Sequence, residues 1–133
     1  MAGWSAYIQN LLASSDGIKR AAIVGTDASI WARSEPPTGS EFTASTEELT
    51  KFVAQFDHLN DVPSQGCDLE GIHYIVPRTE ENLIFGKKDK TGIFAVKTNM
   101  AVLIACYEGE NAAGSECRTA VEKLAAYLRQ SGY

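Results

Sequence analysis

The residue pattern predicts an α+β fold: an antiparallel sheet of about six to seven strands covered by helices, with the two terminal helices side by side on one face. Three observations carry this. Residues 2–13 and 115–130 each show one apolar stripe at helical spacing. Between residues 67 and 107 the apolar period falls to two, in short runs separated by tight turns. Large rings sit near both ends, Trp4 and Tyr7 at the start and Tyr133 at the finish. Exposed apolar surface is a liability at frayed ends, so rings there imply that the terminal helices meet and build an aromatic surface.

The first helix is predicted over residues 2–14, where Trp4, Ile8, Leu11 and Leu12 recur on one face with Tyr7 flanking them. Ser14-Ser15-Asp16-Gly17 ends it with turn residues. AAIVG at 21–25 reads as a buried strand, Thr26-Asp27 as its turn, and SIWAR at 29–33 as an antiparallel return. Glu35-Pro36-Pro37-Thr38-Gly39 is a loop, because two prolines cannot sit inside a paired strand. Ser45 or Thr46 caps a second helix, with Glu48 placed to complete a capping box and Leu49, Phe52, Val53 and Phe56 on its apolar side. The stretch from Asp61 to Gly66 reads as another loop. Five β-like runs follow: CDLEG, IHYIVP, NLIFGKK, GIFAVKT and AVLIACY. Their joints at Thr79-Glu80-Glu81, Asp89-Lys90-Thr91-Gly92 and Thr98-Asn99-Met100 predict a meander of hairpins. Gly109 to Ser115 is predicted as a loop, and the final helix carries Cys117, Val121, Leu124 and Leu128 along one face.

At 133 residues, 44% hydrophobic and 22% charged, the chain has the size and composition of one domain, 1–133, with a core of its own. No apolar run is long enough to span a membrane, and the start lacks the basic-then-apolar pattern of a secretion signal. Cys67, Cys106 and Cys117 form an odd set without CxxC spacing, which predicts free thiols in a reducing compartment, the cytoplasm. A net charge of −5 excludes a strongly basic nucleic-acid footprint. Locally, Lys87, Lys88, Lys90 and Lys97 gather with Arg78, a patch able to attract an acidic partner. Catalytic chemistry is not legible. His58 and His73 stand in different elements, neither in a nucleophile motif, and the pairs Glu47-Glu48 and Glu80-Glu81 read as solvated. Phosphate-cradling glycine loops and metal-ligand spacing are missing, so neither an enzyme nor a cofactor or metal is expected.

Four segments carry a family resemblance: MAGWSAYIQNLLA (1–13), AAIVGTDASIWA (21–32), LIFGKKDKTGIFAVKT (83–98) and VEKLAAYLRQSGY (121–133). Together, in order and over essentially the whole chain, they resemble profilin. The resemblance implies a central antiparallel sheet with the N- and C-terminal helices packed together on one face and a shorter helix on the other. It implies a non-enzymatic, cytoplasmic and cytoskeletal protein that binds actin monomers and regulates actin polymerisation; a monomer is the default expectation for the chain itself. It also implies a second site for proline-rich ligands such as filament elongation factors, and weaker phosphoinositide binding.

Carried onto this sequence, the resemblance assigns the proline-rich groove to Trp4, Tyr7, Trp31, Tyr127, Leu128 and Tyr133. A polyproline II segment is stiff and extended, with free carbonyls, so flat rings bearing N–H and O–H donors suit it. The actin face falls on His73, Ile75, Val76, Arg78, Lys87, Lys88, Lys97, Arg118, Thr119 and Glu122. Phosphoinositide contact falls on Lys87, Lys88, Lys97 and Arg129; each basic residue near an anionic membrane contributes about 1 kcal/mol, and 12 Lys plus Arg against 17 acids predicts weak binding. His73 stands where lysine is common in the family, an exchange that would make binding pH-sensitive. Pro77 removes a backbone donor, which predicts an edge or a kink in its strand. The segment 108–116 is closer to the shorter fungal and plant forms than to the vertebrate one. The competing class is a small-ligand sensor or a dimerisation scaffold of similar topology. A sensor needs a closed apolar pocket between sheet and helices, whereas the rings here lie at the chain ends.

Overall fold

The computed structural model describes residues 3–36, 39–109 and 111–133. The start of the expected first helix at residue 2, Pro37 and Thr38 of the expected proline loop, and residue 110 of the expected loop 109–115 lie outside the described residues. In chain order come α1 (Gly3–Ser14), β1 (Ile18–Gly25), β2 (Ile30–Arg33), α2 (Thr46–Gln55), a 3₁₀ stretch (Phe56–Asp61) and α3 (Val62–Gln65). Then follow β3 (Cys67–Leu69), β4 (Ile72–Glu80), β5 (Leu83–Lys88), β6 (Thr91–Lys97), β7 (Ala101–Glu108) and α4 (Asn111–Gln130). The seven strands make one sheet in the order β2-β1-β7-β6-β5-β4-β3, antiparallel throughout. The meander from β3 to β7 is thus as expected, and β1 closes against β7.

Strand residues alternate between two cores. Ala21, Ile23, Leu103, Ala105, Phe94 and Val96 face α1 and α4, where they meet Ile8, Leu11, Cys117, Val121 and Leu128. Their neighbours Ala22, Val24, Val102, Ile104, Ile93 and Ala95 face the other side, where Phe42, Leu49, Phe52, Phe56 and Val62 cover them. Both faces are buried, so the central strands read as unbroken apolar runs. The terminal helices share one face and α2 lies on the other.

Several boundaries differ from the sequence reading, each for a physical reason. β1 begins at Ile18, not at residue 21, because the polar Arg20 is accommodated: its Nε lies 2.9 Å from Glu70 Oε1, whose side chain is almost fully buried. Residues 61–66 are not a loop. Pro63 sits in the first turn of α3, where a missing N–H costs nothing, and Gly66 at φ 73° ends that helix. The β4–β5 turn is Glu81-Asn82, with Asn82 at φ 57°, rather than 79–81. α4 starts at Asn111 rather than 115. Gly114 is a poor helix former, but a Cβ there would lie 3.3 Å from the Tyr107 hydroxyl.

Two expectations hold in detail. Ser45 caps α2, its hydroxyl accepting from the Glu48 N–H at 3.1 Å while Ser45 N donates to Glu48 Oε1 at 2.9 Å. Pro77 lies both at an open edge and at a kink. β3 pairs only as far as Tyr74, and the β4–β5 register slips by one residue between Ile75 and Arg78.

Candidate functional site

At one end of the sheet, α1, β2 and the end of α4 bring five rings together. Trp4 is the hub. Its ring centroid lies 4.8 Å from Trp31, 5.0 Å from Tyr133 and 5.6 Å from Tyr7. Tyr7 reaches Tyr127 at 5.9 Å, and Trp31 reaches Tyr133 at 6.4 Å. Most of these contacts are edge-to-face, the geometry that aromatic quadrupoles prefer. Trp4, Tyr7, Trp31 and Tyr133 are half-buried, and Tyr127 is 52% exposed. The rings therefore pack against the core with one side and meet solvent with the other.

The backbone holds this shelf at several points. The main-chain oxygen of Tyr133 accepts from Met100 N at 2.6 Å and from Thr98 Oγ1 at 2.8 Å, and Tyr133 N donates to Leu128 O. Trp31 is seated by Gly25, where a Cβ would come within 2.8 Å of the indole Nε1. Asp27 accepts from the N–H and hydroxyl of Ser29, which fixes the β1–β2 turn and holds the Asp27 carboxyl below its ordinary value. Interaction with the Tyr127 hydroxyl raises the Tyr7 phenol above its ordinary value. One expected member is corrected: Leu128 is 1% exposed and packs in the core beneath the rings, so it supports the shelf without facing a ligand.

The opposite end of the sheet carries charge. Arg118 on α4 grips Glu80 with both terminal nitrogens at 2.8 and 2.6 Å and donates through Nε to Glu122 at 2.9 Å. Arg78 Nε stands 3.4 Å from the same Glu80, with its guanidinium over the Phe85 ring. Hydrogen bonding by Arg118 lowers the Glu80 carboxyl and, in turn, raises the guanidinium. Arg78, Lys87, Lys90 and Arg118 line one concave patch with Phe85, Phe94 and Tyr107. Phe85, Phe94 and Tyr107 form a stacked ladder across β5, β6 and β7, at 4.7 and 5.9 Å. Gly92 makes this possible, since a Cβ there would sit 2.5 Å from the Tyr107 hydroxyl. Ile75, 63% exposed and paired with Lys87, adds an apolar point beside the patch, and Thr119 is exposed on α4. On the same strand, His73 Nδ1 lies 2.8 Å from Asp68 Oδ1.

Two members assigned to this face by the resemblance do not reach it. Val76 is 3% exposed, because the residue alternation along β4 turns it into the core under α2. Lys97 follows Val96, which faces α4, so strand alternation turns it to the α2 side of the sheet, and along β6 it stands five residues from Gly92, the partner of Lys87, roughly 17 Å at about 3.3 Å each. There its ammonium faces Asp57 at 4.0 Å, and its carbonyl accepts from Arg129 at 2.7 Å. The four residues expected to touch phosphoinositide thus fall into two separated pairs, Lys87 with Lys88 and Lys97 with Arg129.

The family model described as profilin matches residues 2–133. The chain belongs to the profilin family. Members of this family are actin-binding regulators. Profilin-1 of Caenorhabditis elegans is 55% identical over 134 residues, with both chains fully covered, and the Drosophila melanogaster profilin is 33% identical over 98% of each. Among solved structures, a Schizosaccharomyces pombe profilin has a TM-score of 0.85 at 34% identity, covering 98% of this chain and 99% of that one. For this profilin, the residues that sequence reasoning missed are structural partners of the expected ones: Gly25 under Trp31, Glu80 between two arginines, and Thr98 holding Tyr133. Gly25 stands inside the quoted AAIVG run, so only the position of Trp31 reveals its role.

Proposed function

We propose that this profilin binds monomeric actin through the charged end of its sheet and proline-rich ligands through the ring shelf, as one non-enzymatic, monomeric domain of the cytoplasm and cytoskeleton. The five-ring cluster carries the reading. Trp4, Tyr7, Trp31, Tyr127 and Tyr133 offer ring faces and N–H or O–H donors on one half-exposed surface. A polyproline II segment needs both, and its stiffness keeps the entropy of docking small. The actin reading is supported by an apolar centre, Ile75 with the Phe85 ladder, inside a rim of Arg78, Lys87, Arg118 and Glu122. That is the anatomy of a protein interface, with rim charges that govern encounter rate and salt dependence. Phosphoinositide binding is weak in this reading, because the basic residues are split between two places.

The test is a polyproline column loaded with cytosol. Retention of this profilin with actin co-eluting is the expected result. Titration of the purified protein with a proline-rich peptide should quench its tryptophan fluorescence, since Trp4 and Trp31 both lie in the shelf. An unchanged spectrum at saturating peptide would favour a sensor or scaffold instead.

A further inference from the structure

The shelf does not end at the two tyrosines. Tyr7 and Tyr127 also form the head of a trough that runs down the seam between α1 and α4, with Asn10 on one wall, Leu124 on the other and Ala120 in the floor. These positions recur at i, i+3 and i+7 along both helices (Tyr7, Asn10, Ser14; Ala120, Lys123, Tyr127), so the seam is one continuous stripe. A second depression joins it end to end, sharing Ser14, Ala120 and Lys123 and reaching Glu116 and Thr119. Lys123 stands over the junction. It is exposed, and among the described residues no carboxylate lies within 4.0 Å of its ammonium, whereas Arg118, four positions from Glu122 on the same helix, is fully engaged. The acid nearest the trough, Glu116, already accepts from the Ser15 hydroxyl at 2.7 Å.

We propose that the proline-rich site continues into this trough and selects ligands carrying an acidic side chain about three residues beyond the proline run, paired with Lys123. The proposal rests on the shelf reading above and deepens it. Length sets the spacing. Lys123 lines both depressions together with Ala120, and a long helical side chain leans back toward the helix start, so its ammonium is taken to the level of Ala120, seven residues from Tyr127 and roughly 10 Å along the helix at 1.5 Å each. An extended ligand at about 3.1 Å per residue covers that in three residues. Charge sets the side chain, because an exposed lysine with no carboxylate beside it among the described residues favours an anionic ligand group over a neutral one of the same shape. The trough also points the ligand's far end toward Thr119, at the rim of the proposed actin face.

The experiment uses end-blocked decaproline, alone or extended by two neutral residues and then Glu or Gln, with the extension at either end. Binding is read by tryptophan fluorescence on the wild type, Lys123→Gln and Lys123→Glu. On the wild type, one polarity of the Glu peptide should bind about two- to fivefold tighter than its Gln twin, the range of an exposed ion pair. Lys123→Gln should erase that preference and Lys123→Glu should reverse it, while plain decaproline binds all three alike. Equal Glu and Gln affinities in both polarities, or a preference that survives Lys123→Gln, overturns the trough. Wild-type protein that ignores plain decaproline overturns the shelf reading itself, and the proposal with it.

Discussion

The two ends of the sheet hold their functional groups by different means. At the shelf, five rings fix one another by edge contacts, and each moves on only two side-chain torsions, so the surface is ordered before any ligand arrives. At the charged end, long side chains are held by a chain of ion pairs, Arg78–Glu80–Arg118–Glu122, on a surface open to solvent. Exposed pairs of this kind are worth little individually and are screened by salt. On the proposed function, the comparison teaches that one end would give affinity through preorganised apolar area and the other orientation and encounter through charge.

Removing the hub of the shelf should therefore have the largest effect. Trp4 touches Tyr7, Trp31 and Tyr133, so Trp4→Ala takes away one stacking face and the support of three others. Loss of polyproline retention is expected, by at least about 2 kcal/mol, as for a central interface anchor. Ile8 and Leu11 keep α1 docked, so the variant should remain folded by circular dichroism and still bind actin. A folded Trp4→Ala protein that is retained normally would remove the shelf from the proline-rich site.

Reversing charge at the other end should do less, and in a salt-dependent way. Arg78→Glu with Lys87→Glu reverses two of the cations that line the concave patch, one of them beside Glu80. Actin-monomer affinity should fall roughly tenfold at low salt, chiefly through the association rate, and recover in part as ionic strength rises. Proline-rich binding should not change. An equal loss at all salt concentrations would mean that these residues are buried in the complex rather than placed at its rim.

The same contrast explains what could be read from the sequence. The shelf was legible because rare residue types, Trp and Tyr, sit at positions whose helical or strand phase brings them to one surface. Its second layer was not, because Gly25 and Thr98 act only by where Trp31 and Tyr133 stand. The helical seam below Tyr7 was hidden for a similar reason: Asn10, Ala120 and Lys123 look like an ordinary solvated stripe until two helices are laid together. At the charged end the basic residues were visible, but strand alternation and register decide which of them meet. That is why Val76 turned inward and Lys97 fell at the wrong end of β6. The β runs were legible from their period, whereas helix ends containing Pro63 or Gly114 were not, since tertiary contacts outweigh the local preference of those residues.

The smallest effect should come from acid, and it should separate the ends once more. Glu48 ties α2 to the β3–β4 turn: its carboxylate accepts from Ser45 N, Glu70 N and Gly71 N, the last two at 3.0 and 2.8 Å. Burial alone would raise this carboxyl, but the three N–H donors outweigh it and leave the group lowered. A lowered folded value means that its stabilisation is complete above the ordinary 4.5 and is lost as pH falls through the lowered value. Glu48→Gln keeps one acceptor oxygen and does not titrate. By urea unfolding, it should be less stable than the wild type at pH 7 by about 1 kcal/mol, the usual worth of a helix cap. The gap should narrow steadily as pH falls below about 4.5, because other carboxylates titrate equally in both proteins and cancel. A gap that stays constant into acid would show that the carboxylate charge contributes nothing there. Polyproline retention by the folded wild type should stay level over the same range, since the shelf offers ring faces and no carboxylate side chain.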